Sequence, residues 1–134
     1  MIQPLLIFSD WGILVLRIVL GVLMLAHGWP KIKNLRGTSQ AFEGMGFKPG
    51  VFWATVVALV EFVGGLALIA GFFTQIVSLL VAVQFIVIIL KLKLPQKSFM
   101  SFEFDLLILA ASVLLLTVGG GALSLDEFLG ILFY

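Results

Sequence analysis

The sequence predicts an all-α, polytopic membrane protein: a bundle of four transmembrane helices followed by a short C-terminal interfacial helix. The first reason is composition, since the 134 residues are 62% hydrophobic and only 11% charged, with a mean hydropathy of +1.25. A single domain of this size cannot hide so much apolar surface from water, whereas a lipid bilayer accepts it. The second reason is pattern, because long apolar segments alternate with short links that begin or end at glycine or proline.

The apolar segments lie at about 11–29, 51–71, 74–90 and 102–119. Each approaches the roughly 20 residues that an α-helix needs to cross a hydrocarbon core of about 30 Å. Ser9 and Asp10 supply a capping residue and an acidic first turn to the first span. Pro30 follows that span, and we expect no proline inside any span. The whole chain, 1–134, is therefore interpreted as one membrane domain.

The links between the spans differ in length. Only Gly71–Gln75 joins the second and third spans, which predicts a tight hairpin. The link between the first and second spans is longer. Three apolar residues in it lie either on a short interfacial helix or in a flexible loop: Phe42, Met45 and Phe47. After the fourth span, Ser124 and Glu127 form a capping box ahead of residues 128–134. This pattern predicts a short helix on the membrane surface.

Basic residues mark one side of the predicted bundle. They occur in the first and third links, which must share a side: Lys31, Lys33, Arg36, Lys48, Lys91, Lys93 and Lys97. The opposite side carries Asp10, Asp126 and Glu127 and no basic residue. The positive-inside rule then predicts a multi-pass protein of the inner (cytoplasmic) membrane with both termini outside the cytoplasm. The N-terminus lacks a basic n-region and an A-x-A cleavage site, so we expect the first segment to be retained.

Composition also excludes several functions. A net charge of +1 gives no electrostatic basis for binding nucleic acid. The absence of cysteine excludes disulfides, thiol redox chemistry, iron–sulfur clusters and thiolate zinc sites within this chain. A single histidine excludes a bis-histidine haem within one copy. We therefore expect no metal site and no covalently bound cofactor.

Polar residues inside the predicted spans form two layers when they are placed at about 1.5 Å per residue. Arg17, Glu61 and Gln84 fall in a central layer. The second layer lies nearer the cytoplasm and contains His27, Lys91, Glu103 and Asp105. An unpaired ion at the central depth is costly, so we expect Arg17 and Glu61 to form an ion pair with Gln84 hydrogen-bonded to it.

Helical phase supports this pairing. Arg17, Gly21 and Gly28 share one face of the first span. One face of the second span places small residues beside Glu61: Ala54, Ala58 and Gly65. Small residues let helix backbones approach closely. The central layer either lines a ligand cavity or only fixes the register of the helices, and the sequence leaves both interpretations open.

Residues of the cytoplasmic-side layer also have two interpretations. His27 either hydrogen-bonds a carboxylate near the interface or shuttles protons, since histidine titrates near neutral pH. Glu103 and Asp105 are about 200° apart on a helix, and we expect Glu103 to face the interior. Lys91 lies deeper than four lysines that we interpret as topology charges and not ligands: Lys31, Lys33, Lys93 and Lys97. The tryptophans are expected in the interfacial belt: Trp11, Trp29 and Trp53.

Four stretches resemble the DoxX family of small four-helix bacterial and archaeal membrane proteins: "LRIVLGVLMLAHGWPK", "VEFVGGLALIAGFFT", "FEFDLLILAA" and "GGGALSLDEFL". The resemblance covers nearly the whole chain. It implies a four-helix bundle and membrane redox work, since the family is named after a subunit linked to quinone reduction by thiosulfate. The family positions to which it points are Arg17, Gly21, His27, Gly28, Lys31, Glu61, Gly64, Gly65, Gly71 and Glu103. The chain departs from the family at Phe102, where Tyr or Trp is usual, and at Met100-Ser101, where glycines are usual.

Three functional hypotheses follow. The first is a quinone-interacting or accessory membrane subunit of an oxidoreductase system, with an apolar slot for the quinone tail and polar groups for its carbonyls. It needs a redox partner protein, because this chain offers no obvious electron carrier. The second is a structural or assembly subunit without catalysis. The third is a small-molecule or proton transporter, which so few spans would form only as a homo-oligomer. All three place the chain among membrane lipids.

Overall fold

The computed structural model describes residues 4–96 and 102–131, and this part of the chain is helical without a strand, as predicted. Its α-helices are α1 (Ser9–Lys33), α2 (Leu35–Gly44), α3 (Gly50–Ala70), α4 (Thr74–Ile88), α5 (Glu103–Val118) and α6 (Leu125–Leu129). A 3-10 segment, Pro4–Phe8, precedes α1. A π-helical turn, Ile89–Lys93, and a 3-10 turn, Leu94–Gln96, continue α4. The predicted topology charge Lys97 and the family departure at Met100-Ser101 lie outside the described residues.

Within residues 4–96 and 102–131, three helical segments are long and apolar enough to cross a membrane: Pro4–Lys33, Gly50–Ala70 and Thr74–Lys93. They correspond to the first three predicted spans. Helix α5 occupies the position of the fourth, but it has only 16 residues. Its length of about 24 Å is below the roughly 30 Å of a hydrocarbon core, so the fourth crossing stays a prediction.

Helix α1 continues through Pro30 to Lys33, so the expectation of a span without an internal proline is wrong. Pro30 lies in the last turn of the helix, where its missing N–H removes a single backbone hydrogen bond, to the carbonyl of Ala26. The turn beyond it is closed because the N–H of Asn34 donates to the carbonyl of Pro30 at 3.1 Å. As a result α1 ends four residues later than predicted.

The first link contains the short helix α2, which includes Phe42 but ends before Met45 and Phe47, and its position at the membrane interface stays a prediction. The side chain of Asn34 caps α2 by accepting a hydrogen bond from the N–H of Gly37 at 3.1 Å. Phe42, near the end of α2, packs on Phe47, with ring centroids 5.9 Å apart. Helix α2 lies against the start of α3, where the carbonyl of Ser39 approaches Gly50.

Helix α1 packs mainly on α3, and α4 packs mainly on α5, with a smaller contact between α3 and α4. Buried apolar side chains from α1, α3, α4 and α5 form the core: Leu20, Met24, Leu68, Val81, Phe85, Ile108 and Leu115. The predicted contact faces of α1 and α3 are buried, which confirms the phase of both helices: Arg17, Gly21 and Gly28 in α1, and Ala54, Ala58, Glu61 and Gly65 in α3. Many outward apolar side chains are exposed, as a lipid-facing surface requires.

Glycines set the close approach of α1 and α3. A Cβ atom on Gly21 would lie 2.6 Å from the carbonyl oxygen of Gly65, and one on Gly65 would lie 2.7 Å from the carbonyl oxygen of Gly21. A Cβ on Gly28 would lie 2.7 Å from the backbone nitrogen of Phe62. Gly64 faces the other way, since its Cβ would meet the side chain of Val77 in α4 at 3.1 Å. All four predicted packing glycines therefore lie at helix contacts.

The turn between α3 and α4 is as short as predicted. Gly71 ends α3 in the left-handed conformation with φ +74°, and α4 starts at Thr74. At the other end of the chain, the hydroxyl of Ser124 accepts a hydrogen bond from the N–H of Glu127 at 3.2 Å, which confirms the predicted N-cap. Helix α6 has five residues and ends before Gly130.

Candidate functional site

Arg17 lies in the interior of the bundle and is only 1% exposed. Its guanidinium contacts no carboxylate within ion-pair distance in the described part of the chain and instead donates to backbone carbonyls. The accepting residues are Leu68 at 2.7 Å, Leu123 at 2.9 Å, Ile69 at 3.5 Å, and Gly120. The predicted Arg17–Glu61 ion pair is therefore wrong.

The pairing fails because of the register between α1 and α3. The sequence placed Arg17 in one central layer with Glu61, but Gly21 of α1 contacts Gly65 of α3. Arg17 then lies opposite Leu68, about 10 Å from Glu61 along the helix.

Arg17 is stabilised by the C-terminal end of α3. The last carbonyls of a helix have no partner within the helix, and they carry the negative end of its dipole. The guanidinium of Arg17 binds two of these carbonyls, at Leu68 and Ile69, together with the carbonyls of Gly120 and Leu123 from the chain between α5 and α6. Arg17 thus joins α1, α3 and the α5–α6 connection.

Asp126 has a matching role at the start of α4, and the sequence interpretation missed it. Its carboxylate is buried and accepts hydrogen bonds from the N–H groups of Phe73 at 2.6 Å and Thr74 at 2.8 Å. The N–H of Asp126 donates to the carbonyl of Gly71 at 2.9 Å. Phe73, at the N-cap of α4, makes no side-chain cap hydrogen bond, so a distant acid supplies the cap. Arg17 and Asp126 together form what we call the turn clamp.

Glu61 lies in α3, is 2% exposed, and has partners on both carboxylate oxygens. Gln84 of α4 donates through Nε2 to Oε1 at 2.7 Å, so Gln84 was correctly placed beside the predicted central layer, although the Arg17–Glu61 ion pair that it was expected to join is absent from the described residues. Lys31 of α1 donates through Nζ to Oε2 at 2.6 Å. The interpretation of Lys31 as only a topology charge is therefore wrong. We call these residues the Lys31–Glu61–Gln84 cluster.

Lys31 reaches Glu61 for two geometric reasons. Side chains on a helix lean toward its N-terminus, so the ammonium of Lys31 lies one turn back, where it also donates to the carbonyl of His27 at 3.2 Å. Gly28 leaves no side chain between α1 and Glu61, because a Cβ there would be 2.9 Å from the Cβ of Glu61. This contact was not predicted from the sequence; the signal for it is Lys31 three residues after Gly28, on the helix face that meets α3.

His27 is exposed on the same face of α1 as Lys31. Its Nδ1 lies 2.7 Å from the carbonyl oxygen of Leu23, so the expected hydrogen bond to a carboxylate is wrong. The imidazole also stacks on Phe104 of α5, with ring centroids 6.1 Å apart and 23° between the planes. A carbonyl only accepts, so Nδ1 donates this hydrogen bond, and Nε2 lies on the other side of the ring.

The phase of α5 is the reverse of the predicted one. Glu103 is exposed, whereas Asp105 is half-buried and its carboxylate lies 3.6 Å from the Nζ of Lys93. The buried face of α5 passes through Ile108, which is about 60° from Asp105 and about 140° from Glu103. The expectation that Glu103 faces the interior is therefore wrong, and Lys93 is an ion-pair partner as well as a basic residue. Lys91 is exposed on the π-helical turn.

No group of three or more His, Cys, Asp or Glu residues that could hold a metal ion occurs within residues 4–96 and 102–131. The side chains described above form two polar assemblies in the bundle. The turn clamp joins helix ends through backbone groups, and the Lys31–Glu61–Gln84 cluster joins side chains of three helices beside the exposed His27.

Comparison with known proteins assigns the chain to a family. The sequence model of the family described as DoxX matches residues 12–94, which is more than half of the chain and includes both Arg17 and the Lys31–Glu61–Gln84 cluster. The chain belongs to the DoxX family. The resemblance found in the sequence is thereby confirmed.

Two bacterial proteins are similar in sequence to this DoxX protein. A Bacillus subtilis (strain 168) protein named "Putative oxidoreductase CatD" is 36% identical over 117 residues, which cover 87% of this chain and 86% of CatD. An Escherichia coli (strain K12) protein named "Inner membrane protein YqjF" is 45% identical over 74 residues, which cover 55% of each protein. No solved structure matches the chain.

The exposed edge of the cluster offers one donor and one acceptor side by side. Lys31 has three N–H groups, of which Glu61 and the carbonyl of His27 bind two, and its side chain is 25% exposed. His27 presents Nε2 on the same helix face, next to the ring of Phe104. Glu61 holds the ammonium in place from the buried side. This edge can bind an oxygen-bearing, planar group that approaches from the lipid.

Proposed function

We propose that this DoxX protein is a quinone-interacting, accessory membrane subunit of an oxidoreductase system. The observation that carries the proposal is the edge formed by Lys31 and His27 beside Phe104, held from behind by Glu61. A quinone headgroup needs a donor for its carbonyl, an aromatic or apolar surface for its ring and an apolar path for its tail. The name of CatD refers to an oxidoreductase, which agrees with this class of function.

In this proposal the chain binds and orients the headgroup, and a redox partner protein supplies the electrons. The ammonium of Lys31 donates a hydrogen bond to a quinone oxygen and favours the negative charge that develops when that oxygen is reduced. His27 accepts or returns a proton through Nε2 at the exposed side. The quinone supplies the two-electron chemistry. The partner is required because the chain contains no cysteine and one histidine.

We also propose that α5 crosses the membrane as a fourth span and that α6 lies on the membrane surface. Helix α5 packs on α4 and exposes a continuous apolar surface: Phe104, Leu106, Leu107, Val113, Leu114 and Val118. Asp126 fixes α6 to the α3–α4 turn, while Phe128 is 84% exposed and available to the interface. The distribution of basic residues supports an inner-membrane protein with both termini outside the cytoplasm.

The topology can be tested with single cysteines, because the natural chain has none. Glu127→Cys places a thiol on α6, and Lys48→Cys places one on the side with the basic links. On intact cells, a membrane-impermeant maleimide should label the first variant and label the second only after the cells are lysed. Labelling of Lys48→Cys alone on intact cells would show that the orientation is the reverse of the proposed one. Labelling of both variants would show that both sites lie outside the cytoplasm, so that α5 does not cross the membrane.

Binding can be tested by measuring the quinone that co-purifies with the full chain in lipid nanodiscs loaded with ubiquinone. Lys31→Gln removes the proposed donor and should lower bound ubiquinone about tenfold, since a hydrogen bond from a charged group is worth roughly 1.5–3 kcal/mol. Lys33→Gln is the matched control, because the Lys33 amine lies 5.6 Å from the ring centroid of Trp29 and contacts neither Glu61 nor His27. The binding role would be refuted if Lys31→Gln and Lys33→Gln retained equal amounts of ubiquinone. It would also be refuted if the wild type co-purified with bulk lipid and no ubiquinone.

A structural or assembly subunit without catalysis is the second candidate. It is favoured by one observation, namely that both oxygens of Glu61 already have partners within the bundle. In that case Glu61→Gln lowers stability and leaves the identity of co-purifying small molecules unchanged. A homo-oligomer, as a transporter of this size would require, stays a prediction.

A further inference from the structure

A shallow groove runs between α2 and the first turn of α3, away from both polar assemblies described above. It is lined by Leu35, Arg36, Ser39, Gln40, Glu43 and Val51. Its floor is closed by Ser39, which is 6% exposed and donates through its hydroxyl to the carbonyl of Leu35 at 2.7 Å. Neither the turn clamp nor the Lys31–Glu61–Gln84 cluster contributes a residue to it.

The two ends of the groove carry opposite charges. Arg36 and Glu43 are seven residues apart on α2, so they share a face and lie about 10 Å apart along the axis, with Gln40 between them. Arg36 is exposed and has no hydrogen bond or ion pair with the described part of the chain. Glu43 accepts a hydrogen bond from the N–H of Gly50 on Oε1 at 3.3 Å, which leaves Oε2 open to the groove.

The remaining wall of the groove is apolar and leads into the membrane-spanning surface of α3. Val51 is 63% exposed, and the next residues of α3, Phe52 and Trp53, are also exposed. An amphiphile in this position would place its headgroup between Arg36 and Glu43 and its chain over Val51. The groove therefore combines a zwitterionic rim with a hydrocarbon contact.

We propose that this groove binds a phospholipid with an ethanolamine headgroup. Arg36 binds the phosphate, the carboxylate of Glu43 accepts hydrogen bonds from the primary ammonium, and an acyl chain lies on Val51. Phosphatidylglycerol offers the phosphate but no cation for Glu43. Phosphatidylcholine offers a cation, but its quaternary nitrogen has no N–H to donate to a carboxylate. This proposal does not depend on quinone binding.

The test is competition among phosphatidylethanolamine, phosphatidylglycerol and phosphatidylcholine, supplied in equal amounts to the full chain in detergent, with bound lipid counted by native mass spectrometry. The wild type should retain the ethanolamine lipid in preference to both others. Glu43→Gln should reduce the preference for ethanolamine over choline about threefold, the value expected for one exposed ion pair. Glutamine keeps an oxygen acceptor for the N–H of Gly50, so the local fold is preserved.

Arg36→Gln should lower the retention of all three lipids, since each carries the phosphate. Lys33→Gln, which changes the same charge on a residue that does not line the groove, should leave the lipid pattern as in the wild type. The proposal is overturned if the wild type prefers phosphatidylglycerol or shows no preference. It is also overturned if Glu43→Gln keeps the full preference for ethanolamine over choline.

Discussion

Replacing Arg17 by glutamine tests whether the α3 terminus, and not Glu61, is what stabilises this buried cation. The guanidinium makes three close hydrogen bonds, to the carbonyls of Leu68 at 2.7 Å, Leu123 at 2.9 Å and Gly120, and a longer, weaker one to the carbonyl of Ile69 at 3.5 Å. Each hydrogen bond to a charged group is worth roughly 1.5–3 kcal/mol, but the three are coupled and do not add. We expect a loss of about 3–5 kcal/mol, as for other buried charged networks. That is a large share of a typical folding free energy of about 5–15 kcal/mol.

The assay is reversible unfolding of the full chain from mild detergent by increasing denaturing detergent, followed by tryptophan fluorescence. Arg17→Lys keeps the charge but replaces the planar fork by a single ammonium, so it should recover only part of the loss. Arg36→Gln removes an exposed arginine that has no hydrogen bond or ion pair with the described residues, and it serves as the matched control. A loss below about 1 kcal/mol for Arg17→Gln, or full recovery by lysine, would refute the role of the carbonyls.

A double-mutant cycle separates this account from the ion pair suggested by the sequence. Arg17 and Glu61 lie about 10 Å apart along the bundle and share no partner, so their effects should add to within about 0.5 kcal/mol. A direct ion pair would instead make Arg17→Gln with Glu61→Gln much less harmful than the sum. A coupling energy above about 1 kcal/mol would therefore contradict the geometry described here.

Three further predictions concern the remaining contacts. Asp126→Ala should cost about 1–2 kcal/mol in the same unfolding assay, since it uncaps α4, and Asp126→Asn should recover part of it by keeping one acceptor. Gly21→Ala should destabilise the protein by about 1–3 kcal/mol because its Cβ would meet a backbone carbonyl. Gly12→Ala is the control and should be neutral or stabilising, since its Cβ would meet nothing within 4 Å. Equal free energies of unfolding for the two variants would contradict the helix contact. Lys31→Met combined with Glu61→Gln should be more stable than either change alone, with a coupling of roughly 1–3 kcal/mol, because neither charge is then left unpaired.

For α1 and α3, although not for α5, the sequence predicted the buried face of each helix better than the register between them. The small residues beside Arg17 and Glu61 recur with the period of a helix, and both faces are buried as expected. The register of α1 against α3 depends on where each helix ends. Two helix ends differ from those that the glycine and proline pattern indicated. Pro30 lies inside α1, and the first link folds as α2 against α3. Depths counted from the middle of each apolar segment therefore paired Glu61 with the wrong cation.

The turn clamp shows a second reason why sequence reasoning was incomplete. Arg17 binds backbone carbonyls, and Asp126 binds backbone N–H groups, so neither partner is identified by a side chain. Backbone partners become visible only when the fold brings a helix end to the polar residue. The contact of Glu61 with Gln84 was predictable, in contrast, because both are polar side chains at similar depth in their helices.

The difference between the two polar assemblies decides where function should be sought. Arg17 directs its hydrogen bonds to carbonyls of α3 and of the α5–α6 connection, and at 1% exposure it has no surface left for a ligand. Within the described part of the chain, Lys31 has two acceptors for its three N–H groups, and its side chain is 25% exposed beside the imidazole of His27. A change at Arg17 should therefore alter stability without altering selectivity for a ligand, whereas Lys31→Gln should alter retention of ubiquinone by protein that is still folded. If instead Lys31→Gln lowers only stability, the cluster belongs with the turn clamp as a structural contact.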